Sequence, residues 1–299
     1  MMYSMGLTKK CLACDYQSVF GAFLFLQKDD ILYTYLVKWS KKMRFRPCID
    51  IHNGKVKQIV GGSLTDKGNQ AITNFSSDLG GEFYANMYRE DGIVGGHIIL
   101  LNPKDSEYYE ATKTQAIWAL KAYPGGLQIG GGITADNAAE YIALGASHVV
   151  VTSYVFCGGE IHWDRLEQLK NAVGKEHLVL DLSCRKKDGA YYIVTDRWQK
   201  FTNVTVSKEL LDKLSNYCDE FLVHGVDVEG KASGVEIPLV QMLAAWNGIP
   251  ITYAGGIGSV EDLKEFEQVS GGKLDFTIGS ALDLFGGTIS YRMLAENYR

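Results

Sequence analysis

The chain has 299 residues, 46% of them hydrophobic and 22% charged, with a formal net charge of −5. This is the composition of a folded globular chain rather than a disordered or collagen-like one, and its acidic balance gives no support to a nucleic-acid-binding face. A small anionic ligand remains compatible with it, because backbone N–H groups hold phosphate without a basic surface.

Residues 1–42 differ in character from the rest of the chain. The apolar run Val19 to Leu26 stops at Gln27, Lys28, Asp29 and Asp30, and the run Ile31 to Val37 is interrupted by two tyrosines and a threonine. Neither approaches the roughly 20 residues that cross a bilayer, so no membrane attachment is expected. The segment holds no arginine, whereas transit peptides are usually Arg-rich and poor in acid. It is expected to be an extension, disordered or processed, ahead of a single domain over 43–299. Cys11 and Cys14 form a CxxC with no second pair, and the six cysteines lack framework spacing. Reduced thiols are the simpler expectation. No His or Cys spacing suggests a metal site, and none is expected.

From Met43 the pattern becomes regular. Phe45 to Ile51 predicts a first strand, and Lys55 to Val60 a short strand beside it. Gly61 to Gly81 is polar and turn-rich, which predicts a long loop over the site. A helix follows over Glu82 to Glu90, then strand two over Gly96 to Leu101. Ser106 to Ala122 reads as an amphipathic helix stopped by Pro124 and Gly125. Strand three is Leu127 to Gly130, with a helix from about Ala135 to Leu144. Strand four is Ser147 to Thr152, with a helix within Trp163 to Val173. Strand five, His177 to Leu182, is followed by a hairpin excursion, Tyr191 to Thr195 and Phe201 to Val206, with Trp198 at its tip. Lys208 to Leu214 is helical. Strand six is Glu220 to His224, followed by a Gly-rich loop over Gly230 to Gly234 and a helix over Leu239 to Trp246. Strand seven, Ile251 to Ala254, a helix over Val260 to Glu267 and strand eight, Leu274 to Ile278, complete the series. Eight strands alternating with helices predict an α/β fold, a (β/α)8 barrel.

The chain also repeats itself. Gly131, Gly132 and Ile133 close strand three as Gly255, Gly256 and Ile257 close strand seven. Thr152 and Ser153 close strand four as Gly279 and Ser280 close strand eight. A glycine turn lets backbone N–H groups face an anion, and the last two strands of a barrel are the usual phosphate site. A second copy on the opposite half implies two similar half-barrels and a ligand with a phosphate at each end. Asp50 near the end of strand one and Asp181 in strand five continue the parallel. Alternation places Cys48, Asp50 and His52 on one face, and Asp181, Ser183 and Arg185 on one face. Two carboxylates on opposite walls of one mouth suit acid and base work. His224, ending strand six, is a further catalytic candidate. Trp198 is placed to stack on a heterocycle or to pack as a lid.

The strings FRPCIDIHNGKVKQIVGG, LQIGGGI, VVVTSYVF, VLDLSCRKKDG, FLVHGVDVEG, YAGGI and TIGSALDLFGG, in that order, resemble the eukaryotic form of the histidine-biosynthesis isomerases that act on phosphoribosylformimino-aminoimidazole carboxamide ribotide. The resemblance implies a ribulose-phosphate-binding type of barrel and an Amadori rearrangement of an aminoaldose to an aminoketose. It implies a doubly phosphorylated substrate and no cofactor. A monomer is the default expectation, since no extensive extra interface element is visible in the sequence. Asp181 is then the expected general acid at the ribose ring oxygen, and Asp50 the expected base at C2. His52, Lys55 and Gly230, on the turns after strands one and six, complete the expected substrate contacts. A plant or algal source would imply a plastid address, any other a cytoplasmic one.

Departures from the bacterial form of that family cluster near strand five. Its Asp-Ala-Arg or Asp-Thr-Arg triplet is Ser183, Cys184 and Arg185 here. The carboxylate stands two residues earlier, at Asp181, roughly 6–7 Å along a strand. The bacterial threonine ending strand six is His224, and the arginine after GGGI is Thr134. Two readings compete: the cyclase barrel of the same pathway, which the strings DLSCR and DIHNGK disfavour, and a non-catalytic barrel that only binds a phosphorylated ligand.

Overall fold

Branched and aromatic runs bounded by glycine turns supply the strands. In the computed structural model these are β1 Cys48–His52, β4 Gly96–Leu100, β5 Leu127–Gly130, β6 Val149–Val151, β9 Leu178–Asp181, β13 Glu220–His224, β14 Ile251–Ala254 and β15 Asp275–Thr277. The structure describes residues 43–59, 73–196, 198–229 and 234–299. The expected extension 1–42, the loop segment 60–72, Arg197 and Gly230 lie outside the described residues. Those described belong to one unit, Lys42–Arg299.

The eight strands are parallel neighbours in the order β15, β14, β13, β9, β6, β5, β4, β1. A bridge between Phe45 and Phe276 joins the last strand to the segment entering the first. Arg46 N donates to the Phe276 carbonyl at 2.8 Å, and Phe276 N to the Arg44 carbonyl at 3.0 Å. The ring is closed, as expected of a (β/α)8 barrel. Among the described residues the helices are α1 Gly81–Glu90, α2 Tyr109–Ala122, α3 Ala138–Ala143, α4 Trp163–Val173, α5 Lys208–Leu214, α6 Ile237–Ala245, α7 Val260–Ser270 and α8 Tyr291–Asn297. Ser207, Ser259 and Ser290 cap α5, α7 and α8, each hydroxyl accepting from a backbone N–H in the first turn.

Alternation sorts each strand. Ile49, Ile51, Ile98, Ile129, Leu180, Phe221, Tyr253 and Phe276 are buried between sheet and helices. Val150, Val179 and Leu222 form a separate small cluster, on the opposite, inward faces of their strands. Near the strand starts lies a buried polar layer. Arg46 pairs with Asp275 at 2.9 Å and with Glu220 at 3.4 Å. Glu220 also accepts from Gln128 at 3.0 Å and from Thr252 at 2.6 Å. Every member is bonded, as burial of charge requires. The other end of the barrel is left for the site.

Three features differ from the sequence expectation. The region 61–81 is not all loop: β3, Thr73–Ser76, pairs antiparallel with β2, Lys55–Ile59. After strand four, β7 Phe156–Cys157 and β8 Glu160–Ile161 form a small hairpin. The excursion after strand five has three strands, β10 Cys184–Lys187, β11 Ala190–Thr195 and β12 Lys200–Thr205.

Candidate active site

A cavity of about 490 Å³ opens at the carboxyl ends of the strands. Both glycine turns line it. Gly131 and Gly132 have φ of 100° and 70°, Gly255 and Gly256 of 113° and 80°, a region L side chains rarely enter. A Cβ at Gly131 would collide with the Leu100 carbonyl, and one at Gly255 would stand 2.8 Å from the Gly225 carbonyl. Leu100 closes β4, and Gly225 follows β13. The two turns therefore press on corresponding strand ends, one in each half of the barrel. Thr152, Ser153, Gly279 and Ser280 line the same cavity. Of the two helix starts expected after the glycine turns, α7 begins at Val260 as expected, while α3 begins at Ala138, not Ala135, because Thr134 N donates to the Asn137 side chain at 2.8 Å and the intervening residues form a turn.

Asp50 faces this cavity from β1. Gln58, on β2, donates to its carboxylate at 3.4 Å and to Cys48 Sγ at 3.5 Å. The same Gln58 side chain packs where a Cβ on Gly279 would go. The antiparallel β2 thus ties the first carboxylate to the eighth-strand turn. Burial, then the charge of Glu229, push the Asp50 pKa from 3.8 up to about 7, against the opposing pull of His224.

Asp181 sits across the cavity at the end of β9. Its Oδ2 accepts from Thr152 at 3.0 Å. Its Oδ1 accepts from Ser183 at 2.8 Å and faces His224 Nδ1 at 3.3 Å. Burial pushes this carboxyl up, but the charge of His224 and the three bonds outweigh it, and it titrates below the ordinary carboxylate range. His224 is the mirror case. Burial favours the neutral ring, yet Asp181 first, then Glu229 and Asp50, hold its pKa above 6.5. The two carboxylates therefore differ at neutral pH: Asp181, held low, is ionised, and Asp50 is poised near its midpoint.

Three lining residues that bear on the carboxylates escaped the sequence reading: Gln58 on β2, Glu229 and His97. Glu229 carries a carboxyl raised chiefly by burial and opposed by His224. Its only sequence signal is its place five residues after His224 in HGVDVEG. His97, opposite Cys48 in the β1–β4 register, is buried and pushed down to about 3, first by burial and then by His224. It is a neutral ring at neutral pH.

The remaining expected residues separate. Trp198 lines the cavity, with its ring centroid 5.8 Å from that of His224. Ser183 is fully buried and outside the cavity lining; it bonds Asp181 and Trp198. Arg185 pairs with Asp227 at 2.8 Å rather than reaching the cavity. His52 is buried at the turn into β2, in register with Lys55. Lys55 is exposed, 3.5 Å from Asp78. Neither lines the cavity. Strict alternation fails at His52 because β1 turns there, and at Ser183 and Arg185 because β9 ends at Asp181 and β10 leaves the barrel.

Residues 44–290 match the family described as histidine biosynthesis protein. The chain belongs to that family. The chain is 52% identical over 254 residues to a chloroplastic 1-(5-phosphoribosyl)-5-((5-phosphoribosylamino)methylideneamino)imidazole-4-carboxamide isomerase of Medicago truncatula, a match spanning 84% of this chain and 80% of the relative. It is 46% identical over 247 residues to the isomerase of the same name from Neurospora crassa, covering 82% of this chain and 93% of the relative. The corresponding protein of Saccharomyces cerevisiae is 41% identical over 253 residues, covering 82% and 94%. Among the described residues no helix is long and apolar enough to cross a membrane, and no cluster of His, Cys, Asp or Glu is placed to hold a metal ion.

Proposed function

We propose that this chain is the imidazole-4-carboxamide isomerase of histidine biosynthesis, converting the phosphoribosylamino end of its substrate from aldose to ketose. The observation that carries this reading is one cavity with a glycine turn in each half of the barrel and two carboxylates between them. A substrate named for two phosphoribosyl groups has one phosphate for each turn. The fold, the family and the relatives agree with an isomerase and with a phosphorylated small-molecule substrate.

For the residues, the electrostatics favour a division of labour. Asp50, with a pKa of about 7, is a far stronger base than a free carboxylate while still ionised in a large fraction near neutral pH. It takes the C2 proton of the opened sugar. The acid on the opposite wall is the Asp181–His224 couple rather than Asp181 alone. Its shared proton resides on the imidazole and passes to the ribose ring oxygen as the ring opens. Regeneration follows when the enolamine becomes the ketone. Gly131, Gly132, Ser153, Gly255, Gly256, Gly279 and Ser280 hold the phosphates, and Trp198 covers the imidazole carboxamide. Thr152 belongs with the acid, because its hydroxyl is committed to Asp181.

For a plant or algal source we propose a plastid address, consistent with the chloroplastic relative, and otherwise a cytoplasmic one. A fluorescent protein fused behind residues 1–42 reports which. The function itself is tested by a spectrophotometric assay on the doubly phosphorylated aldose, coupled to the enzyme consuming the ketose. Turnover abolished in Asp50→Asn and Asp181→Asn, with product still bound, is the expected result. Undiminished kcat in Asp181→Asn would remove the couple from the mechanism.

A further inference from the structure

The tip of the excursion after β9 is held in an unusual way. Asp196 and Trp198 have φ of 55° and 68°. Left-handed backbone at a residue as bulky as tryptophan is an outlier, and such outliers persist where the surroundings over-determine them. What fixes Trp198 is visible. Its indole Nε1–H donates to Ser183 Oγ at 3.1 Å, and its ring lies tilted at 41° over His224. Ser183 in turn donates to Asp181 Oδ1 at 2.8 Å, the oxygen that faces His224 Nδ1 at 3.3 Å. The result is a closed circuit of four side chains: indole, hydroxyl, carboxylate and imidazole.

Ser183 is the only member of the circuit outside the cavity lining. Its hydroxyl has one hydrogen, and the distances give it to Asp181 while its oxygen accepts from Trp198. From the geometry of this circuit we infer that Ser183 is a positioning residue, coupling the seating of the Trp198 indole to the orientation of Asp181 toward His224. When Trp198 is seated, its N–H occupies an acceptor site on the serine oxygen, which leaves the O–H directed at the carboxylate. Without the indole donor that constraint goes and the hydroxyl can turn away. The kinetic consequence rests on the isomerase reading, but the coupling itself is a property of the unliganded protein.

The charged and titratable groups around Asp181 are His224 and Glu229 from β13 and its loop, Asp50 from β1, His97 from β4 and Cys184 from β10. His224, His97 and Cys184 interact with it electrostatically, and Asp50 and Glu229 act on it through His224. Of the groups stabilising its charge, the hydroxyls of Ser183 and Thr152 are the uncharged donors. Removing one weakens the hold on the ionised form, so Asp181 titrates at higher pH.

The test pairs a spectroscopic readout with kinetics. The indole N–H resonance of Trp198 is assigned by its loss in Trp198→Phe and followed against pH in the unliganded protein. Wild type is expected to show a step reporting the Asp181–His224 couple. Ser183→Ala should abolish that step and speed exchange of the indole proton, and Ser183→Thr should restore it. In the coupled assay Ser183→Ala should lower kcat by roughly 10–100-fold, part of the roughly 10²–10⁴ that acid–base catalysis contributes, with KM little changed, and carboxylate NMR should show Asp181 titrating at higher pH. Trp198→Phe, which keeps an aromatic ring and deletes the donor, should move the Asp181 titration the same way. An unchanged indole step in Ser183→Ala overturns the coupling. Absence of turnover in wild type with the step intact overturns the isomerase reading and leaves the coupling standing.

Discussion

Asp50→Asn is expected to make the protein more stable while disabling it, and the gain should depend on pH in a defined way. Asp50 titrates near 7 in the folded chain against 3.8 ordinarily, chiefly because it is buried and faces Glu229. A carboxyl whose folded pKa is raised binds more protons folded than unfolded between those two values. Stability therefore falls as pH rises through that window and stays low above it. About three units at about 1.4 kcal/mol each set an upper bound of about 4 kcal/mol. Asp50 borders the cavity, where solvent screens it, so about 2–4 kcal/mol is the working range. Asparagine carries no such penalty and can still accept from Gln58. The variant should match wild type below pH 4 and exceed it above pH 7, with a thermal midpoint raised on the order of 5–10 °C for a domain of this size. Thermal or urea unfolding of both proteins at pH 4, 6 and 8 measures this. Equal stability of the pair at pH 8 would refute the strained, desolvated Asp50 and its assignment as a tuned base. The partner carboxylate provides the control of opposite sign. Asp181 is held below its ordinary range, so its charge contributes stability above that range and loses it as pH falls through the folded pKa. Asp181→Asn should destabilise the protein at pH 7.

Glu229→Gln removes a charge that raises both Asp50 and His224; the acid limb of kcat/KM attributed to Asp50 should move to lower pH in a rate–pH profile, and a shift to higher pH would contradict the arrangement. His224→Asn strips Asp181 of its cation and should lower kcat on the order of 10²–10⁴-fold in the coupled assay, with Asp181 titrating upward by carboxylate NMR. Gly131→Ala and Gly255→Ala each force a Cβ toward a strand-end carbonyl at positive φ and should raise KM for the substrate, which steady-state kinetics of each variant will show. Asp275→Asn leaves Arg44 and Arg46 without the carboxylate that accepts from both; breaking a buried pair costs about 3–5 kcal/mol, read from urea midpoints.

Legibility in the sequence tracks the range of the interactions involved. The barrel strands were legible because each is a short apolar run between glycine turns, and Leu127–Gly130, Glu220–His224 and Ile251–Ala254 carry the expected limits. The glycine turns were legible because positive φ leaves a residue-level trace. The β3 strand was not, since TNFS is polar and mostly exposed and becomes a strand only by pairing with β2 across a long connection. The start of α2 slipped from Ser106 to Tyr109 because the Ser106 hydroxyl accepts from Tyr108 N and so builds a turn. Asp50 and Asp181 could be named as a pair, but not their unequal pKa values. Burial raises both. They part because Glu229 adds to the rise at Asp50 while His224 and the hydroxyls of Ser183 and Thr152 lower Asp181. His224 and Glu229 reach the cavity from a different strand and its loop.

The same limit explains why Asp181, Ser183 and His224 look unrelated along the chain. Burial at the end of β9 raises the Asp181 carboxyl. Ser183 donates to Asp181, and His224 lies against it with the opposing charge. Each is unfavourable without the others: an imidazolium facing no carboxylate, a buried serine with no acceptor, a buried carboxylate with no cation. On the proposed mechanism the three therefore act as one unit. Exchanging them singly should be worse than exchanging them together. Asp181→Ser with Ser183→Asp should be nearly inactive, and adding His224→Thr should recover part of the loss. Additive losses across that series would show that the three positions act independently.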